Sequence, residues 1–185
     1  MINEVKQDAE HRMQGAIEAL QRELTGIRTG RAAPALVERL HVDYYGASTP
    51  LNQLAGVSAP DARTLMIQPW DRGSIGAIEK AILKSELGLT PNSDGQVIRL
   101  SIPQLTEERR KTLVKVSRQK VEEGKVAIRN VRRDAVDHLK ALMKDKSIGE
   151  DDERRAQDDV EKLTKRFTEE ADRMGQLKEA EILEV

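Results

Sequence analysis

No cysteine occurs anywhere in this chain of 185 residues, which removes disulfides, thiolate nucleophiles and every cysteine-based zinc site. Aromatic residues are almost as scarce: one Phe, one Trp and two Tyr, 2% of the chain. The core must therefore be built from Leu, Ile, Val and Ala, and base stacking is a poor candidate for any nucleic-acid contact. No apolar run approaches the roughly 20 residues of a membrane-spanning helix. The start, Met1-Ile2-Asn3-Glu4, has neither the basic nor the apolar region of a secretory signal. A cytoplasmic protein without membrane contact is expected.

Proline is absent from both ends. All six prolines lie between Pro34 and Pro103, and since proline cannot continue a helix interior, residues 1–30 and 105–185 are free to be helical throughout. Both carry apolar residues at helical spacing. In the first arm Ile2, Val5, Ala9, Met13, Ala16, Leu20, Leu24 and Ile27 form one stripe that is expected to end near Gly30. The second arm opens at Thr106-Glu107-Glu108, where an N-capping hydroxyl and two carboxylates suit a helix start. Its seam runs through Val114, Ser117, Val121, Gly124, Ile128, Val131, Ala135, Leu139 and Leu142. Ser147-Ile148-Gly149-Glu150 reads as a capping box, followed by a third stripe of Ala156, Val160, Leu163, Phe167, Ala171, Met174 and Leu177.

Three such helices predict an elongated three-helix bundle made from both ends of the chain, residues 1–30 with 105–185. Three stripes in one chain favour a monomer over an oligomeric helical adaptor, the competing architecture. Residues 31–104 then form an inserted domain. Segments 37–45, 51–57, 63–69 and 97–102 read as short strands between Gly, Pro, Asn and Asp turns, and 74–87 as a helix stopped by Gly88. The fold class is α+β, and the crossings, Gly30 with Arg31 and Pro103 with Gln104, are candidate hinges. Tyr44, Tyr45 and Trp70 are either a contact patch or filling for the insert's small core.

The net charge of −1 conceals a polarised distribution. Residues 105–146 hold thirteen Lys/Arg against seven Asp/Glu, residues 147–185 seven against thirteen, and the insert seven of each. At about 100° per residue, Lys111, Arg118, Lys125, Arg129 and Arg132 fall within roughly 60° of one another, a basic ridge along the second helix. Arg133 adds to it. Such a ridge suits a phosphate backbone, with Arg preferred for bidentate contact. The alternative is a solvated face neutralised by the acidic third helix. Arg28 and Arg31 form a second basic cluster near the first hinge, where Arg28 reads either as a cap for the carboxyl end of the first helix or as an extension of the ridge.

Nothing assembles catalytic chemistry. Gly26 and Gly30 lack the spacing of a phosphate loop; His11, His41 and His138 are scattered. The helix dipole accounts for Glu150-Asp151-Asp152-Glu153 without a metal, although a carboxylate metal enzyme is the reading that cluster would support. No cofactor and no enzymatic activity are expected.

The blocks Ile27-Arg28-Thr29-Gly30-Arg31-Ala32, Tyr44-Tyr45-Gly46, Leu87-Gly88-Leu89-Thr90-Pro91-Asn92, Leu105-Thr106-Glu107-Glu108-Arg109-Arg110-Lys111, Ile128-Arg129-Asn130-Val131-Arg132-Arg133-Asp134-Ala135 and Gln157-Asp158-Asp159-Val160 resemble, in this order, the bacterial ribosome recycling factor family. The resemblance weakens over residues 175–185. It implies a hinged, L-shaped molecule of transfer-RNA outline. It further implies that the protein binds the ribosome after termination and, with the GTPase elongation factor G, splits it into subunits. By match to the family's motif, Arg129, Arg132 and Arg133 would contact large-subunit ribosomal RNA, with Arg28 and Arg31 as further candidates. Lys125 and Arg118 extend the same ridge.

Overall fold

The computed structural model describes residues 1–184 and divides into two compact units, Met1–Ile27 with Glu107–Val185 and Arg28–Thr106. The first unit is built from α1 (Ile2–Thr25) and two longer helices, α3 (Glu107–Lys144) and α4 (Glu150–Leu183), all packed on one another. No helix among the described residues is long and apolar enough to cross a membrane.

Most of the apolar stripes are buried as their periodicity requires. Val5, Ala9, Met13, Ile17, Leu20 and Leu24 of α1 meet Val114, Val121, Ile128, Val131, Ala135 and Leu139 of α3 and Ala156, Val160, Phe167, Ala171 and Met174 of α4. Helices of this length owe their stability to that packing, since propensity alone is marginal. Ile17 takes the place expected for Ala16, which is only half-buried. Toward the end of α4 the buried face shifts to Gly175 and Ile182, leaving Leu177 exposed.

Two helix ends differ from the sequence expectation. Helix α1 stops at Thr25 instead of near Gly30: Gly26 is a weak helix former, and the last turn tightens there, the Ile27 amide donating to the Leu24 carbonyl at 3.1 Å. Ser147 does not cap α4. It completes the end of α3, its amide donating to the Leu142 carbonyl at 2.9 Å while the Lys146 amide donates to Met143 at 3.0 Å. With Lys146 at φ 63 this is a Schellman ending with lysine in the left-handed position that glycine normally fills. Gly149 is the N-cap residue of α4 and offers no side-chain cap.

The second unit holds a two-stranded hairpin, β1 (His41–Tyr44) and β2 (Ala47–Pro50), and an antiparallel sheet of order β3-β4-β6-β5. Its strands are β3 (Ala55–Asp61), β4 (Thr64–Pro69), β5 (Pro91–Ser93) and β6 (Ile98–Ser101). The hairpin turns on Tyr45 and Gly46, both at positive φ, as a two-residue primed turn requires. Helix α2 (Ile75–Lys84) buries Ile78 and Ile82 against Val42, Leu65, Ile67, Ile98 and Leu100. It ends three residues earlier than expected because Ser85 is extended, with its hydroxyl on the Ile82 carbonyl at 2.6 Å.

Candidate nucleic-acid interface

The ridge on α3 is real as a line of cations, and most of its members hold carboxylates. Arg118 meets Glu179 at 2.5 Å, Lys125 meets Asp172 at 3.0 Å and Arg132 meets Glu161 at 3.5 Å, all three partners on α4. Arg129 pairs with Glu122 of its own helix at 3.3 Å, and Lys111 with Glu107 at 3.6 Å. Arg133 is exposed and has no ion-pair partner among the described residues. The acidic third helix therefore does neutralise part of the ridge, as the charge distribution allowed.

Those pairs do not disable the surface. Exposed pairs contribute about 0–1 kcal/mol, so a phosphate can displace a carboxylate at small cost. Arg118 has 69% of its side chain exposed, Arg129 42% and Arg132 37%, whereas Lys125 keeps 19%. The arginines are thus the accessible members, and Lys125 is held closest to the bundle. Further pairs tie α1 down on the bundle: Arg12 with Asp134 at 2.9 Å, Lys6 with Asp159 at 3.1 Å and Arg166 with Glu10 at 2.9 Å.

The second basic cluster has a different character. Arg28 is half-buried and its Nη1 donates to the Leu87 carbonyl at 2.7 Å, within the Arg28–Thr106 unit. It does not cap α1, which has already ended. Arg31 is exposed and engaged in a contact of its own. Gly30, Arg31, Pro103 and Gln104 all lie inside this second unit, close to its boundaries. Gly30 has φ 79, and a Cβ there would stand 3.1 Å from Leu105 Cγ, so the two chain crossings are side by side.

The aromatic residues divide. Tyr44 packs against the insert core, while Tyr45 and Trp70 are 81% and 69% exposed. Asp71 organises them: Oδ2 accepts from the Tyr44 hydroxyl at 3.0 Å and from Tyr45 at 3.4 Å, and Oδ1 accepts from the Gly73 amide at 2.9 Å. The Gly73 amide, then the Tyr44 hydroxyl, hold the Asp71 carboxyl below its ordinary range. Donation to Asp71, then burial, push Tyr44 up. Sequence periodicity could not find Asp71, because its partners come from the β1–β2 hairpin and from its own turn.

The four carboxylates at the start of α4 do not converge. Glu150 pairs with Arg154, and Glu153 is buried with Gln157 donating to it. No group of three or more His, Asp or Glu among the described residues is placed to hold a metal.

A family model described as Ribosome recycling factor matches residues 20–183. The chain belongs to the ribosome recycling factor family. The ribosome-recycling factors of Thermomicrobium roseum and Carboxydothermus hydrogenoformans are 58% and 57% identical to it over 185 residues, the whole of each chain. A solution structure of the ribosome recycling factor superposes with a TM-score of 0.80 at 40% identity, covering 100% of this chain and 98% of that one. A second relative, a T. thermophilus ribosome recycling factor placed with E. coli elongation factor G on the E. coli post-termination complex, gives 0.69 at 49% identity over the whole of both. Family likeness thus extends through residues 175–185, where the sequence blocks gave little.

Proposed function

We propose that this chain binds the ribosome after termination and, with elongation factor G and GTP, splits it into subunits for a new round of initiation. The supporting observation is likeness over the whole length to ribosome recycling factors, one of them placed with elongation factor G on a post-termination complex. The chain is a translation factor and not an enzyme; GTP chemistry belongs to elongation factor G. Its place of work is the cytoplasm, as a monomer.

Within this reading the α3 ridge is the contact to large-subunit ribosomal RNA. Arg129, Arg132 and Arg133 are its centre, Arg118 and Lys125 its continuation, and Arg31 a secondary candidate. Accessible arginines with exchangeable partners support the assignment. The insert is the moving part, hinged at Gly30-Arg31 and Pro103-Gln104.

Light scattering of post-termination ribosomes mixed with this chain, elongation factor G and GTP tests the function. Dissociation into subunits is expected, lost when either factor or GTP is omitted; persistence of intact ribosomes in the complete mixture refutes it. Rigidifying both crossings is expected to preserve binding and abolish splitting, and unchanged splitting would remove the hinge from the mechanism.

A further inference from the structure

Arg118, Lys125 and Arg132 stand seven residues apart on α3, and the first two meet Glu179 and Asp172, also seven apart on the antiparallel α4. A heptad repeat returns to nearly the same side of a helix, so the next position along α4 belongs at the level of Arg132. That position is not a carboxylate. It is Lys165, exposed and without an ion-pair partner among the described residues.

Arg132 therefore has no acid opposite it and takes Glu161, one helical turn farther, at 3.5 Å, longer than the Arg118–Glu179 and Lys125–Asp172 pairs. Beside it Arg133 is unpaired among the described residues, and Arg129 relies on Glu122 of its own helix. The break in the acidic series leaves four cations, Arg129, Arg132, Arg133 and Lys165, of which only Arg129 and Arg132 hold a carboxylate among the described residues. Asp137 and Glu169 stand one turn from Arg133 and Lys165 without forming an ion pair among the described residues. Elsewhere the ridge is neutral pair by pair.

We infer that Lys165 is a phosphate-contact residue, forming with Arg132 a cationic clamp across α3 and α4 that seats an RNA backbone at this level of the ridge. The inference rests on the reading of the ridge as an RNA surface. Packed helix axes lie about 8–10 Å apart, within reach of two long side chains converging on one backbone. The neutral pairs on Lys125 and Arg118 sharpen the contact, because a cation already paired releases few counterions when it exchanges carboxylate for phosphate. An unpaired cation contributes the full electrostatic gain.

The test is binding of the full chain to isolated large ribosomal subunits over a salt series, comparing wild type with Lys165→Gln, Lys165→Glu, Lys162→Gln and Arg132→Ala. Lys162 is the control: it is an exposed lysine of α4 that lies toward α1, with Lys6 and Glu10. Lys165→Gln is expected to weaken binding about two- to five-fold and to reduce the salt slope by roughly one. Lys165→Glu, which restores the acidic series, is expected to weaken it further, and adding Arg132→Ala to it to cost little more. Thermal midpoints should not move, whereas a structural role for Lys165 would move them and leave the slope alone. If Arg132→Ala weakens binding while Lys165→Gln matches wild type or matches Lys162→Gln, the clamp is wrong and the ridge stands. If Arg132→Ala also binds like wild type at every salt concentration, the ridge reading falls and the clamp with it.

Discussion

Gly175 of α4 faces Val121 of α3 so closely that a Cβ on the glycine would lie 2.6 Å from Val121 Cγ2. Val121 is itself buried, in the same groove that Lys125 and Asp172 border. Gly175→Ala gains up to about 1 kcal/mol of helix propensity, but overpacking a helix contact costs about 1–3 kcal/mol. A net loss of stability is expected in urea titration, relieved by Val121→Ala in the same chain. Gly15, exposed in α1 with nothing within 4 Å of its notional Cβ, is the contrast. Gly15→Ala is expected to stabilise by about 0.5–1 kcal/mol.

Lys146 occupies a left-handed position at the end of α3. A side chain with a Cβ costs about 1–2 kcal/mol there. Lys146→Gly is expected to raise stability by roughly 1 kcal/mol, read as a higher thermal midpoint. A lower midpoint would mean that the lysine side chain itself contributes to the turn.

Arg28 serves the insert's own loop. Removing the charged donor to the Leu87 carbonyl is expected to cost about 1–3 kcal/mol of insert stability. The salt slope of large-subunit binding should stay that of wild type in Arg28→Ala and fall in Arg132→Ala. A reduced slope for Arg28→Ala would return it to the RNA surface.

Acid should loosen the insert's turns, and with them the end of α3, where the Ser147 side chain and amide hold the Asp145 carboxyl low. Asp71, Asp61 and Asp94 are each held below the ordinary carboxylate range, chiefly by the backbone amides of Gly73, Arg63 and Val97 respectively. For a depressed group the stabilisation is complete above the unfolded value, near pH 4, and disappears as pH falls through the lower folded value. The amide resonances of Gly73, Arg63 and Val97 are expected to titrate with midpoints below that of a free aspartate. Midpoints at or above the free value would overturn the assignment.

The helices were legible because apolar residues recur at three- and four-residue steps along the whole of each. What escaped was set by contacts distant in sequence or by single turns. Strands β2 and β5 consist of Ala-Ser-Thr-Pro and Pro-Asn-Ser, residues that read as turn chemistry and become strands only by pairing with β1 and β6. The ridge could be read from the spacing of its own cations. Its neutralisation could not, because which carboxylate meets Arg118 or Arg132 depends on the register of α4 against α3, and so does the position of Lys165.

A bundle assembled from both ends of a chain imposes an order on its own synthesis. The insert is contiguous, and its sheet and α2 can close as soon as residue 106 has emerged. Helix α1 is made first, yet its apolar side has nothing to meet until α3 and α4 follow, some eighty residues and several seconds of translation later. A nascent chain of this kind exposes Met13, Ile17 and Leu20 throughout that interval, an opening for chaperones that no finished molecule displays.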